Sequence, residues 1–264
     1  RKIISRERSY HGVTVAAASL TGLPVTQNHF DLPVDALGIL RTDHPHYYRG
    51  KQGEETEDEF VDRIVGNLET MIVAEGPETI AAFIAEPITG ASGVIVPPAG
   101  YYQKVQVVLN RYDIMFWADE VITGFGRTGS DFGCNTMGIE SPDMMTFAKQ
   151  LSSAYMPISA SAIRRDMYDA MIDQTANAGA FGHGYTYSGH PVACAVALKV
   201  LEIYRRDQIF EKAAKTGAYL QQRLASFADH PLVGEVRGSG LLGALELVAN
   251  KEPGEAFGGG AGGG

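Results

Sequence analysis

The stretch Asp113-Ile-Met-Phe-Trp-Ala-Asp119 decides the architecture. An unbroken apolar run lies between two carboxylates. It is too short for a buried helix, and it lacks the polar alternation of a strand with one wet face. Such a run is a strand covered on both faces, as in a parallel sheet flanked by helices. Working outward, Glu78-Thr-Ile-Ala-Ala-Phe-Ile-Ala-Glu86 reads the same way, and so does Asp143-Met-Met-Thr-Phe-Ala148. Two more strands are expected at Lys2 to Ser5 and at Pro157 to Ile163. Thr56 to Glu75 places Phe60, Ile64, Leu68, Met71 and Ile72 at helical spacing. A further helix is expected to follow Pro97-Pro98 and run through Asn110, with proline in its first turn. The alternation predicts an α/β fold with a mainly parallel sheet, and it places a ligand beyond the carboxyl ends of the strands.

After Pro191 the pattern changes. Val192 to Tyr204 is an Ala-rich apolar helix, and Gln208 to Ala228 a more amphipathic one. Val233 to Val236 and Leu241 to Val248 read as short strands around Arg237-Gly-Ser-Gly240. The expected division is a large ligand-binding unit over residues 1–190, followed over 191–264 by a linking helix and the start of a smaller α+β unit. The chain opens without methionine and closes on Phe257-Gly-Gly-Gly-Ala-Gly-Gly-Gly264, so it reads as a piece of a longer protein with a flexible tail. The formal net charge of −9 argues against a nucleic-acid partner. No apolar run reaches the length of a membrane span. Two isolated cysteines, Cys134 and Cys194, point to reduced thiols and a cytoplasmic protein.

Three strands end in charged residues: Glu86, Asp119 and, just past the third, Lys149 in Phe147-Ala-Lys149-Gln-Leu-Ser-Ser153. A lone lysine in such a place is usually a surface residue, and a lone aspartate a helix cap or a partner for Arg127. Both together on one sheet edge suit pyridoxal 5'-phosphate. The amine can form a Schiff base with the cofactor aldehyde, and the carboxylate can keep the ring nitrogen protonated. Burial at the strand end is expected to ease deprotonation of Lys149. Glu120 should point away from Asp119 and form a structural ion pair, while Val121 returns to the ring side. Tyr10-His11-Gly12 follows the first strand and offers an aromatic face beside a glycine that permits close approach. Gly124-Phe-Gly126-Arg-Thr-Gly129 reads as a tight turn, because no apolar helix opens behind it as a dinucleotide loop requires. Gly182-His-Gly184-Tyr-Thr186-Tyr-Ser-Gly189 has the composition of a phosphate-binding turn, with Thr186 as donor. His29, His44 and His46 lack the spacing of a metal site, so no metal is expected.

These segments resemble a class III (subgroup II) aminotransferase of the pyridoxal-phosphate fold-type I superfamily. The resemblance runs from the strand ending in Asp119-Glu120 through Gly126-Arg-Thr-Gly129 and Asp143 to Ala148-Lys149. Around it stand Tyr10-His-Gly, Ala85-Glu-Pro87 and Tyr185-Thr-Tyr-Ser-Gly-His-Pro191. It spans residues 1 to 250 and is nearest to omega-transaminases of the amine:pyruvate type. Ala91 stands where ornithine-type and gamma-aminobutyrate-type members have a second glutamate, which argues against an ornithine-like specificity and for the amine:pyruvate group. The resemblance implies that Lys149 anchors the cofactor and shuttles the substrate proton, and that Asp119 binds the ring nitrogen. It implies that Tyr10 and Val121 cover the two ring faces, with His11 and Gly12 beside them and Glu86 and Glu120 in support. Thr186 would reach across a homodimer interface to the neighbour's phosphate. The implied reaction is ping-pong transfer of an amino group from an amine or omega-amino acid to a keto acid such as pyruvate. An aminomutase or decarboxylase on the same scaffold, or an inactive truncated fragment, is the alternative. Arg237 is kept structural, and 264 residues alone are expected to bind cofactor weakly and turn over little.

Overall fold

The computed structural model describes residues 1–251 and 254–257, so the expected glycine tail after Phe257 lies outside the described residues. The strands are β1 (Lys2–Arg6), β2 (Ile39–Thr42), β3 (Ile80–Ala85), β4 (Met115–Asp119), β5 (Met144–Phe147), β6 (Ala160–Ile163), β7 (Val233–Ser239) and β8 (Leu242–Leu247). The helices are α1 (Val15–Leu20), α2 (Tyr47–Gly50), α3 (Glu57–Glu75), α4 (Tyr101–Arg111), α5 (Gly133–Met137), α6 (Arg165–Ala178), α7 (Pro191–Arg206) and α8 (Ile209–Ala225). One six-stranded sheet has the order β2-β1-β3-β4-β5-β6, and β7 and β8 form a separate pair. The first five strands of the large sheet are parallel, and β6 runs antiparallel on the edge.

The chain leaves β1 toward β2, then returns to β3 on the other side of β1. Strand order therefore reverses between β1 and β3, and their carboxyl ends diverge into the crevice where open α/β sheets take ligands. The residues that follow β1, β3, β4 and β5 all border this end of the sheet.

Helix α3 supplies most of one cover. Thr56 caps it: its hydroxyl accepts from the Glu59 amide at 3.3 Å while Glu59 Oε2 accepts from the Thr56 amide at 2.9 Å. Two donors that the first turn would leave unpaired are satisfied reciprocally. The helix buries Phe60, Ile64, Leu68 and Ile72, with Val61 and Val65 beside them. Each such side chain contributes about 1.5–3 kcal/mol relative to exposure. They pack, with Val105 and Leu109 of α4, on the sheet face formed by Ile4, Phe83, Ala85, Phe116 and Ala118. The alternation along β3 and β4 is that of strand geometry, and the Phe83 and Phe116 rings stack at 5.8 Å between centroids.

Several boundaries differ from expectation for physical reasons. Helix α4 starts at Tyr101 behind Gly100, whose φ of 80° only glycine adopts freely, so both prolines lie ahead of the helix and not in its first turn. The β7 strand continues through Arg237-Gly-Ser239 and turns at Gly240-Leu241, because Arg237 keeps its ladder partner Ala244. The edge strand β2 and the helix α6 are not evident from sequence. Strand β2 is short, and no residue of α6 is buried, so α6 lacks a one-sided apolar stripe covered by the chain. Among the described residues no helix is long and apolar enough to cross a membrane.

Candidate active site

A cleft of about 280 Å³ opens at the strand-order reversal, lined by Tyr10, His11, Gly12, Glu86, Asp119, Val121 and Lys149, with Ile122 and Ala148 between them. Larger surface hollows occur elsewhere, but this one holds the strand-end acids and the lysine together. Tyr10 to Gly12 leave β1, Glu86 leaves β3, Asp119 closes β4, and Lys149 follows β5.

Asp119 is buried. Its Oδ1 accepts from the Val121 amide at 3.1 Å, and its Oδ2 meets His11 Nδ1 at 2.7 Å. An ionised carboxylate only accepts, so Nδ1 carries the proton in this pair. That leaves His11 Nε2 buried without a partner among the described residues. Glu86, also buried, accepts from the Tyr10 amide at 2.9 Å and the Gly90 amide at 3.0 Å. Burial raises its pKa, and the Asp119 charge adds to this, while His11 and the two amides oppose it. Glu86 thus fixes the backbone at Tyr10 on the cleft wall. Behind it, fully buried Arg6 donates to the Glu86 carbonyl at 2.7 Å and to the Thr89 hydroxyl at 3.2 Å, holding the turn after β3.

Lys149 departs from its expected setting. It lies two residues past β5 with a left-handed φ of 38°, and its side chain is exposed at the cleft mouth instead of buried. A left-handed L-residue costs about 1–2 kcal/mol, so the surrounding turn must hold it. Glu120 does turn away from Asp119, but it forms no ion pair among the described residues. It accepts from the Thr123 hydroxyl at 2.6 Å and from the Gly133 and Cys134 amides at 2.9 and 2.7 Å. The open donors of the first α5 turn satisfy it, so no cation is needed. Asp119 likewise pairs with His11 and not with Arg127. Thr186 stands apart from the cleft on an exposed loop between Tyr185 and Tyr187, both about four-fifths exposed.

Away from the cleft, His46, Glu235 and Glu246 bring potential ligand atoms within 4.8 Å of one another. Their carboxylates are already engaged: Arg237 contacts Glu235 and Glu246 at 2.8 and 2.7 Å, Arg49 contacts Glu246 at 2.9 Å, and His46 contacts Glu235 at 2.8 Å. Two guanidinium groups occupy the place a cation would take. His29 is exposed and His44 is half-buried, its pKa lowered to about 3 by partial burial and then by Arg8, His46 and Arg6.

Comparison with known proteins gives this geometry its setting. The family model "Aminotransferase class-III" matches residues 1–258. The chain belongs to the class-III aminotransferases. Enzymes of this family depend on pyridoxal 5'-phosphate. A gamma aminobutyrate transaminase 3 of Solanum lycopersicum is 51% identical over 257 residues, covering 97% of this chain and 49% of the relative. A vanillin aminotransferase of Capsicum chinense is 49% identical and is covered over 55% of its length. The solved omega-transaminase of Pseudomonas jessenii in complex with PMP superposes with a TM-score of 0.95 at 52% identity, over 98% of this chain and 56% of that one. The chain spans about half the length of the curated relatives it matches.

Within this class-III aminotransferase chain, the His11–Asp119 contact is what sequence reasoning left out. Tyr10-His-Gly was legible as a motif, but the two partners are 108 residues apart and no local pattern joins them. Ile122 and Ala148 also line the cleft. Their only signal was adjacency to Val121 and Lys149.

Proposed function

We propose that this chain is the cofactor-facing core of a transaminase that moves an amino group from an amine or omega-amino acid to a keto acid such as pyruvate by a ping-pong route. The observation that carries the reading is the meeting of Lys149, Asp119, Tyr10 and Val121 in one cleft at the strand-order reversal. The cleft suits a substituted pyridine ring. Asp119 is buried and braced, and each of its oxygens retains a lone pair for a ring N–H. His11 Nε2 is buried without a partner among the described residues and adds a polar edge. Gly12 has a φ of 119°, which glycine tolerates, and an added Cβ there would crowd the Ala17 Cβ at 3.2 Å.

Bound pyridoxal 5'-phosphate would supply the carbonyl that condenses with amines and an electron sink for the substrate carbanion. The protein's part follows from its residues. Lys149 Nζ anchors the cofactor and then moves the proton at the substrate α-carbon. Asp119 faces the ring nitrogen, and His11 orients that carboxylate. Tyr10 and Val121 hold the ring from its two faces, and Gly12 allows the approach. Glu86 and Glu120 support the cleft by fixing the turns at Tyr10 and after β4.

A homodimer belongs to the same proposal. Thr186 would serve the phosphate of the neighbouring subunit. Its loop carries the exposed rings of Phe181, Tyr185 and Tyr187, which a second subunit would cover. Residence in the cytoplasm is proposed on the unpaired state of Cys134 and Cys194.

The test is to add pyridoxal 5'-phosphate to the purified chain, record the visible spectrum, reduce with borohydride and map the label. A label on Lys149 that disappears in Lys149→Ala is the expected result; absence of any Lys149 label in the wild type overturns the cofactor reading. For the reaction, the parent protein given an amine and pyruvate should form alanine. Failure to form alanine while rearranging or decarboxylating an amino acid would assign it to the mutase or decarboxylase class.

A further inference from the structure

Lys149 sits in a turn whose backbone is unfavourable for a lysine, and two residues outside the cleft hold that turn. Gln150 donates its side-chain amide to the Ile122 carbonyl at 3.2 Å. Its main-chain carbonyl accepts from the Tyr204 hydroxyl at 2.8 Å. Ile122 belongs to the turn that leaves β4, one residue past the Val121 whose amide binds Asp119. Gln150 therefore bridges the turn bearing Lys149 and the turn braced on Asp119.

Tyr204 lies in the last turn of α7, and its ring packs on Phe210 of α8 at 5.5 Å between centroids. Phe210 in turn presses on the Gly126 backbone, where an added Cβ would lie 2.6 Å from its Cδ1. The α7–α8 corner thus touches both turns, one by a hydrogen bond and the other by a ring against glycine.

We propose that Gln150 and Tyr204 are positioning residues that set Lys149 relative to Asp119 and make its placement depend on the α7–α8 corner. This rests on the reading of Lys149 as the anchoring lysine. Neither residue touches the cleft, and both act through the backbone on either side of the reacting groups. The left-handed Lys149 supplies the reason, since a conformation disfavoured locally needs contacts from elsewhere to persist.

The experiment compares the wild-type chain with Tyr204→Phe, Gln150→Met and the double variant. Tyr204→Phe keeps the ring on Phe210, and Gln150→Met keeps the side-chain length. Should Gln150→Met fail to fold, Gln150→Glu takes its place, because it keeps the shape and loses the amide donor. Each protein is loaded with pyridoxal 5'-phosphate, and the pH midpoint of its visible band and the rate of borohydride labelling at Lys149 are measured. Amide hydrogen exchange at Leu151 and Ser152 is measured without cofactor. Each single variant is expected to label roughly three- to tenfold more slowly, as loss of one hydrogen bond implies. The band midpoint should shift, and the double variant should be no worse than the poorer single, because both act on one turn. Wild-type labelling rates with an unmoved midpoint, or additive effects, would overturn the proposal. If the wild type takes no label at Lys149, the anchoring role itself fails. The exchange measurement then still judges the clamp: unchanged exchange in Tyr204→Phe rejects it.

Discussion

At Asp119 both carboxylate oxygens face donors, the Val121 amide and His11 Nδ1. Asp119→Asn would turn an amide NH₂ toward one of them and would remove the charge proposed to meet the ring nitrogen. Charge-assisted hydrogen bonds contribute about 1.5–3 kcal/mol, so retention of pyridoxal 5'-phosphate should fall roughly 10- to 100-fold, read by equilibrium dialysis. Cys134 offers a second check at this scale. Burial, then the charge of Glu120, pushes its thiol pKa up, which leaves it protonated and unreactive at neutral pH. Iodoacetamide should leave Cys134 unmodified in the folded chain and label it after denaturation; rapid labelling in the native state would contradict the Glu120 pocket. The charged ends of the strands were legible in sequence because a carboxylate or amine stands out against an apolar run. The partners of those charges were not. Glu120 was expected beside a cation, yet its acceptors are filled by backbone donors of a helix too short to show in the sequence pattern.

Among the elements, α3 shows how local chemistry settles a boundary. Its capping box closes the first turn where the apolar periodicity begins, and sequence and structure agree to within a residue. Thr56→Ala should destabilise the chain by about 1 kcal/mol, seen as a lower denaturation midpoint with an unchanged slope. Helix α5 is held differently. A Cβ on Gly133 would lie 2.6 Å from Thr123 Cβ and 2.8 Å from Pro87 Cβ. Gly133→Ala must push the Glu120–Thr123 turn away from the turn after β3. A loss of about 1–3 kcal/mol is expected from such overpacking, and a denaturation midpoint equal to wild type would show that the contact yields freely. The prolines ahead of α4 were misleading because Pro fixes only its own φ, and the helix waited for the left-handed Gly100.

Across the whole molecule, the ion network Arg49–Glu246–Arg237–Glu235–His46 ties the β7–β8 pair to the segment after β2. Burial raises the pKa of Glu235, but His46 and Arg237 outweigh it. Burial likewise raises that of Glu246, and Arg237 and Arg49 outweigh it, so both carboxylates end below their usual value of 4.5. A carboxylate depressed in the folded state stabilises it above the unfolded pKa, and that stability is lost as pH falls through the folded pKa. The melting temperature should therefore drop as pH is lowered from about 4.5. Arg237→Met should cost about 2 kcal/mol at neutral pH and flatten the acid dependence; an equally steep acid limb in that variant would place the sensitivity elsewhere.

The sequence by itself determined the strands other than β2, the helices α3, α4, α7 and α8, and the identity of the charged residues at the strand ends. Apolar periodicity and helix capping act over a few residues and are written locally. Only the tertiary structure decided that β1 lies beside β3, that the resulting crevice gathers Tyr10, Asp119 and Lys149, and that His11 braces Asp119. The exposure of Lys149 and its tie through Gln150 to Tyr204 were settled there too. Those contacts join residues tens to a hundred positions apart, and their free energy depends on sheet order and close packing, which no window of sequence contains.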